Sequence, residues 1–270
     1  MKKLGIILLA IGIAASLVPW AAPSVRAEEP EISIKPATAV LETPLEGNMV
    51  EPEGTRQLKS GWQNIMTDGF EGAFPGSWVA GADSGYTDAY WGKDEYRHHT
   101  GSHSAFCAKS GTAGGNPPNN YPNNMSSWMI YGPFSLADAT DAELNFWFRN
   151  KSQGPGDYVM WGASTDGCSF WGRGHDGDSG GWQSVSFDLT DVYHLGNLCG
   201  ESQVWIAFIF ESDESITDKG AFVDDVALRK YIGEPEPDIR LDKNHLDFEL
   251  SLGASSTGHP GSSELSAHHQ

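Results

Sequence analysis

Between Ile65 and Tyr231 the apolar residues fall in short runs of five to eight, separated by clusters of Gly, Asn, Asp and Pro at regular intervals. That spacing is the pattern of a β-sandwich. The runs predict strands over Ile65–Glu71, Ser104–Lys109, Ser126–Phe134, Glu143–Arg149, Asp157–Ser164, Trp182–Leu189, Gln203–Phe210 and Gly220–Lys230. Leu144, Phe146 and Phe148 alternate with Asn145, Trp147 and Arg149, as in a strand with one solvated face. Val204 to Phe210 is apolar throughout, so it is expected at the centre of a sheet and covered on both sides. Only Asp188–Tyr193 hints at a helical turn, with Thr190 or Asp191 as its N-cap. The prediction is an all-β, two-sheet antiparallel sandwich over residues 60–231.

The flanks differ in kind. Met1-Lys2-Lys3, the apolar run Leu4–Val18 and the small-residue site Val25-Arg26-Ala27 read as a signal peptide over residues 1–27. Nothing later in the chain is long enough to span a membrane as a helix. Residues 28–59, rich in Glu and Pro without a sustained period, read as an acidic linker. After a Pro-spaced acidic hinge, residues 232–270 resemble the opening strands of an immunoglobulin-like repeat and end before such a domain is complete. Either a truncated module or a disordered tail fits that stretch.

Charge narrows the partners. The chain has 17 Lys and Arg against 36 Asp and Glu, a net charge of -19, which excludes a nucleic-acid surface spread over the molecule. Removal of Lys2, Lys3 and Arg26 with the leader takes the mature chain to -22. Export also decides the reading of the three cysteines. Oxidising surroundings permit one disulfide, expected between Cys168 in a turn and Cys199 in the loop before a strand, with Cys107 left as a small buried hydrophobe.

Two motifs suggest chemistry and lose it in context. Gly177-Asp178-Ser179-Gly180-Gly181 matches the nucleophile loops of serine hydrolases, but a hydrolase elbow joins a strand to a helix, whereas here a Gly-rich loop leads into a strand. His98-His99-Thr100-Gly101-Ser102-His103 has a turn-forming Gly among its histidines and no Cys or carboxylate at a zinc-ligand spacing, so it reads as an exposed hairpin.

The more specific pattern joins the two ends of the sandwich. Asp68-Gly69-Phe70-Glu71 in the first predicted strand, Gly220-Ala221-Phe222-Val223-Asp224-Asp225-Val226 in the last, Gly101-Ser102-His103-Ser104-Ala105, and Gly181-Trp182 before Phe187-Asp188-Leu189 together resemble the jelly-roll modules of the MAM-like group. Such modules occur as C-terminal domains of immune inhibitor A-type secreted bacterial metalloproteases and as choice-of-anchor surface domains. The resemblance implies a structural calcium ion (Ca2+) shared by the first and last strands, with Glu71 and either Asp224 or Asp225 as ligands. It leaves Ser102 or the neighbouring carbonyls, Asp68 and Asp94 as secondary ligands. Adjacent strand residues point to opposite faces, so only one of Asp224 and Asp225 is expected to serve. Flat aromatic rings stack on sugars, and Trp91, Tyr96, Trp161 and Trp171 lie beside long loops as candidate ligand contacts, whereas Trp128, Trp147, Trp182 and Trp205 lie in strand patterns and read as core. The expected function is a secreted, non-catalytic, calcium-stabilised adhesion module for an extracellular polysaccharide or surface protein. A secreted hydrolase and a structural accessory domain of a longer surface protein are the rivals.

Overall fold

The computed structural model describes residues 34–41, 60–233, 239–242 and 245–248. The leader and most of the stretches flanking the sandwich lie outside the described residues. The strands are β1 (Lys35–Val40), β2 (Gly61–Asp68), β3 (Val79–Ala82), β4 (Tyr90–Asp94), β5 (Ser104–Ser110), β6 (Ser126–Phe134), β7 (Asp141–Lys151), β8 (Tyr158–Ser164), β9 (Ser169–Asp176), β10 (Gln183–Asp188), β11 (Val204–Glu211), β12 (Gly220–Ile232), β13 (Ile239–Asp242) and β14 (His245–Phe248). No helix occurs among the described residues, and Asp188–Tyr193 forms turns instead of the helical turn expected there.

Two antiparallel sheets make a jelly-roll β-sandwich. One sheet, sheet A, has the order β1-β9-β8-β11-β6-β3. The other, sheet B, runs β10-β7-β12-β5-β4, and β2 pairs with the later half of β12. The opening and closing strands are therefore neighbours, with Asp68 opposite Val226 and Gly61 opposite Ile232. In the tail, β13 and β14 pair as a two-stranded antiparallel hairpin.

The hydrophobic pattern sorts these strands by depth. In β7, Ala142, Leu144, Phe146 and Phe148 are buried between the sheets, while Glu143, Asn145, Trp147 and Arg149 stay partly exposed on the outer face. From β11, Ile206, Phe208 and Phe210 enter the central core, and Trp205, Ala207 and Ile209 enter a second cluster on the outer face of sheet A with Met160 and Phe170. Aromatic edges tie the two sheets together: the Phe146 and Phe208 rings meet at 4.8 Å and 78°, and Phe146 meets Trp161 at 5.3 Å. Edge-to-face pairs of this kind add about 0.5–1.5 kcal/mol each beyond their area.

Part of the stretch read as a linker is built into the sandwich. β1 lies along β9 from Lys35 opposite Gly174 to Val40 opposite Ser169. Ala39 and Leu41 are buried in the outer cluster of sheet A, so this edge strand holds its place by side-chain burial as well as by the ladder.

Candidate functional site

The connection from β4 to β5, residues 95–103, folds back over sheet B and is held by the carboxylates singled out in the sequence. Asp224 and Asp225 do not alternate as a regular strand would place them. Opposite β7 the register passes from Asp224–Trp147 to Ala227–Asn145, three steps against two, and Asp225 has a left-handed φ of 49°. This β-bulge turns both carboxylates toward the loop. Asp224 Oδ2 accepts the amides of His99 (2.7 Å) and Thr100 (3.2 Å), and its Oδ1 accepts the amide of Asp225. Asp225 lies 2.6 Å from His99 Nδ1 and accepts the Thr100 hydroxyl at 2.5 Å. Burial pushes the Asp224 carboxyl above its ordinary value, against the pull of these amides.

Glu71, just beyond β2, grips the far end of the same loop. Its Oε1 accepts the amides of Ser102 (2.7 Å) and His103 (2.8 Å), and its Oε2 accepts the Ser102 hydroxyl and lies 3.0 Å from His103 Nδ1. The His103 side chain, then the Ser102 amide and hydroxyl and the His103 amide, hold this carboxyl far below the usual carboxylate range. Gly101 has φ +62°, and a Cβ there would fall 2.2 Å from Glu71 Oε1, so the clasp needs glycine at this point.

The structure thus brings Glu71, Ser102, Asp224 and Asp225 to one loop, and both aspartates engage it. Asp68 and Asp94 serve elsewhere. Asp68 accepts the Phe70 amide and the Trp78 indole N–H, and Asp94 pairs with Lys109 at 2.6 Å while accepting the Tyr96 amide. This arrangement does not fit the calcium ion that the resemblance implies. Calcium takes six to eight oxygen ligands. Here the carboxylates face amide and hydroxyl donors, and among the described residues no three His, Cys, Asp or Glu side chains gather as a metal site.

The clasp sets a ring onto the sheet. His99 stacks on Trp147 at 3.8 Å and 14°, with the Trp182 ring edge-on at 5.9 Å. Trp147 faces Ser184 across to β10, and Asn145 faces Ser186. Next to them Glu143 accepts hydrogen bonds from Asn145 Nδ2 (2.8 Å), the Ser186 hydroxyl (2.9 Å) and Arg229 Nε (2.5 Å). Burial raises the Glu143 pKa, but these donors more than offset it and leave it below its ordinary value. Arg229 in turn lies over the Trp62 ring at 4.5 Å, and Trp62 meets Tyr231 edge-on at 5.7 Å. The outer face of sheet B therefore carries aromatic groups at two places with a hydrogen-bonding strip between them. From Glu143 to Arg149 it spans about 20 Å at the rise of a β-strand.

Of the four aromatic residues proposed from sequence, two are corrected. Trp91 and Trp161 are 0% and 1% exposed and belong to the central core. Trp161 shares its face of β8 with Val159 and Ala163, and that face is the inner one. Tyr96 is exposed at the end of sheet B's outer face, with Arg97 over its ring at 5.1 Å. Trp171 is half-buried away from this face and stacks on His194 at 4.0 Å. Conversely, Trp147 and Trp182, read as core, are partly exposed, as is Trp128, whereas Trp205 is buried as read. His99 and Trp62 were missed. His99 looks like any loop histidine until the bulge directs Asp225 to it, and Trp62 sits just ahead of the first predicted strand.

The expected Cys168–Cys199 disulfide is not formed, because all three cysteines are free. The Cys168 thiol points to the Leu41 carbonyl at 3.0 Å, and Cys199 packs against the central core. Cys107 is fully buried, which pushes its thiol pKa up. Ser179 is buried as well. Its hydroxyl donates to the Gly181 carbonyl at 2.6 Å and accepts the Asn150 amide at 3.0 Å, which makes it a loop tie. A cavity of about 450 Å³ lies along β1 and β9, lined by Pro36, Tyr158, His175 and Tyr193 among others, and its Lys35–Asp176 pair closes on itself at 3.0 Å.

No protein-family model matches the chain. No curated protein matches it either. Several solved structures are similar to it. The family 11 carbohydrate-binding module from Clostridium thermocellum, in complex with a β-1,3-1,4-mixed-linked tetrasaccharide, is 13% identical with a TM-score of 0.40, over 65% of this chain and 99% of that one. The K1 cleaved adhesin domain of Lys-gingipain from Porphyromonas gingivalis is 15% identical with a TM-score of 0.40, over 60% and 96%. A xylan-binding domain from CBM 22 is 13% identical with a TM-score of 0.36, over 63% and 96%.

Proposed function

We propose that this protein is a secreted, non-catalytic module of the MAM-like kind that holds a polysaccharide on the outer face of sheet B. The observation that carries the reading is the composition of that face. Trp62 and Tyr231 at one place, and Trp147, His99 and Trp182 at another, supply apolar rings for sugar faces. Asn145, Ser184 and Ser186 between them supply donors and acceptors for hydroxyl groups. In this reading the β4–β5 loop is the part that shapes the site, and the Asp224–Asp225 and Glu71 clasp does the stiffening that the resemblance assigns to calcium. Ser179 has no part in it, because its hydroxyl is committed within its own loop.

The test is affinity electrophoresis of the secreted chain in gels containing single soluble polysaccharides, followed by calorimetry on any that retard it. Trp62→Ala and Trp182→Ala are expected to weaken binding about fivefold or more, the range for loss of one sugar-stacking ring at about 1–3 kcal/mol by analogy with base stacking. Trp171→Ala, away from this face, is expected to bind as the parent does. Equal losses in all three variants, or no retardation by any polysaccharide, would overturn the assignment.

A further inference from the structure

One end of the sheet B face carries a charge arrangement at odds with the rest of the molecule. With 36 acids and 17 bases in the chain, the ordinary neighbour of an arginine is a carboxylate. Arg229 has such a neighbour in Glu143, and Lys35, Lys109 and Lys230 have theirs. Arg97 and Arg149 have none within ion-pair distance among the described residues. Instead they stand beside each other, lining a notch of about 20 Å³ with Lys151, Lys219 and Asp178 around a floor of Gly220 and Phe222.

The surrounding groups offset the pair only in part: the Asp178 carboxylate acts on Arg149 against burial and the charge of Arg97. Lys219 is spent on the Pro118 carbonyl (2.9 Å) and Asn120 Oδ1 (2.7 Å). Asp178, the acid in the notch, lies 3.9 Å from Lys151, and its Oδ1 accepts the Gly180 amide at 2.8 Å. Asp218 lies 3.8 Å from Lys151 on the other side. Phe222 is buried and stacks on Phe106 at 4.7 Å, so the floor is apolar and water is partly excluded beneath the guanidinium groups. Partial burial, and then the positive charge of Arg97, lower the Arg149 pKa. Two like charges held together over an apolar floor raise the energy of the empty site, and an anion relieves it. The notch has room for roughly one water-sized atom, enough for an oxygen of an anionic group but not for a sugar ring.

We infer that the notch between Arg97 and Arg149 takes the carboxylate or sulfate group of an acidic polysaccharide whose backbone lies along sheet B. The inference rests on the glycan-binding reading of that face and adds the class of glycan. The acidity of the remaining surface does not prevent it, because at physiological ionic strength charges beyond about 8 Å are largely screened.

The experiment pairs polymers that differ in charge alone. The full secreted chain is titrated with polygalacturonate and with its methyl ester, and with dextran sulfate and dextran, at 0.05 and 0.5 M NaCl. The expected result is binding of at least one acidic polymer tenfold or more tighter than its neutral counterpart. That preference is expected to weaken in the higher salt, to disappear in Arg97→Gln and Arg149→Gln, and to be only partly retained in Arg149→Lys, which keeps the charge but loses the planar fork. The carboxylate and sulfate arms tell which anion the notch prefers. Thermal midpoints of the variants confirm that they fold, since the residues are on the surface. Equal binding of acidic and neutral polymers, sensitive to Trp182→Ala but not to Arg149→Gln, would overturn the anion site and leave the glycan platform standing. Binding to none of the four would overturn the anion site, and the platform falls with it only if no polysaccharide retards the chain in the gels.

Discussion

At the scale of single residues, the molecule spends its acidic side chains on holding backbone. Glu71 accepts four hydrogen bonds from two consecutive residues, and Asp224 accepts three amides although it is buried. Because the folded pKa of Glu71 lies below its unfolded value, its contribution is fully present above the ordinary carboxylate range, near pH 4.3, and is lost as pH falls through the folded value. The thermal midpoint of the parent is therefore expected to fall relative to Glu71→Gln as the pH is taken from 6 to 3, with the two curves converging. Parallel curves over that range would show that Glu71 is not held as described. The identities of these residues were legible through the resemblance, which picks out Glu71 at the end of the first predicted strand and Asp224–Asp225 in the last. Their partners were not. Nothing in His98–His103 indicates that His99 is the residue presented to Asp225, since a one-residue bulge in β12, far along the chain, decides it.

At the scale of elements, alternation was a good guide where a strand has one wet face and two neighbours, as in β7, and a continuous apolar run was a good guide for β11. The strands that escaped the pattern are short or lie at or near sheet edges. β3 has four residues, β4 has five, and β9 is broken by Gly172 and Gly174. At Gly172 a Cβ would come within 2.0 Å of the Trp161 carbonyl, so glycine there marks a close approach of β8 and β9 and not a loop. β1 was hidden by Pro36 and by its acidic surroundings, although proline is tolerated near the start of an edge strand. Leu41→Ala checks this element. A leucine buried to 4% exposure in the outer cluster is expected to cost about 2–3 kcal/mol in urea unfolding, near the lower end for core truncations. A change within 0.5 kcal/mol is what a linker residue would give.

At the scale of the whole molecule, the pairing expected between the first and last strands predicted over residues 60–231 holds along β2 and β12 and places the site. The carboxylates meet at a common loop as that pairing requires, where they accept hydrogen bonds from its backbone amides. The expected outcome is a thermal midpoint that is the same within about a degree in chelator and in millimolar calcium. A rise of several degrees in calcium would mean that an ion displaces these donors, since a ligand bound to the folded state alone stabilises it by mass action.

β12 keeps a single neighbour, β7, from Gly220 to Tyr231 on one side, but on the other it exchanges β5 for β2 between Val223 and Val226. The 95–103 loop is seated in that interval, over a ladder whose opposite side runs on past it. Structural support and surface chemistry are thereby largely separable in this architecture: outside the residues of the clasp the segment can change while the β7 side, which pairs with β12 on both sides of the bulge, keeps the sandwich together. Relatives sharing this gap are expected to diversify fastest at that segment, and grafting a foreign one there is a direct route to altered ligand preference.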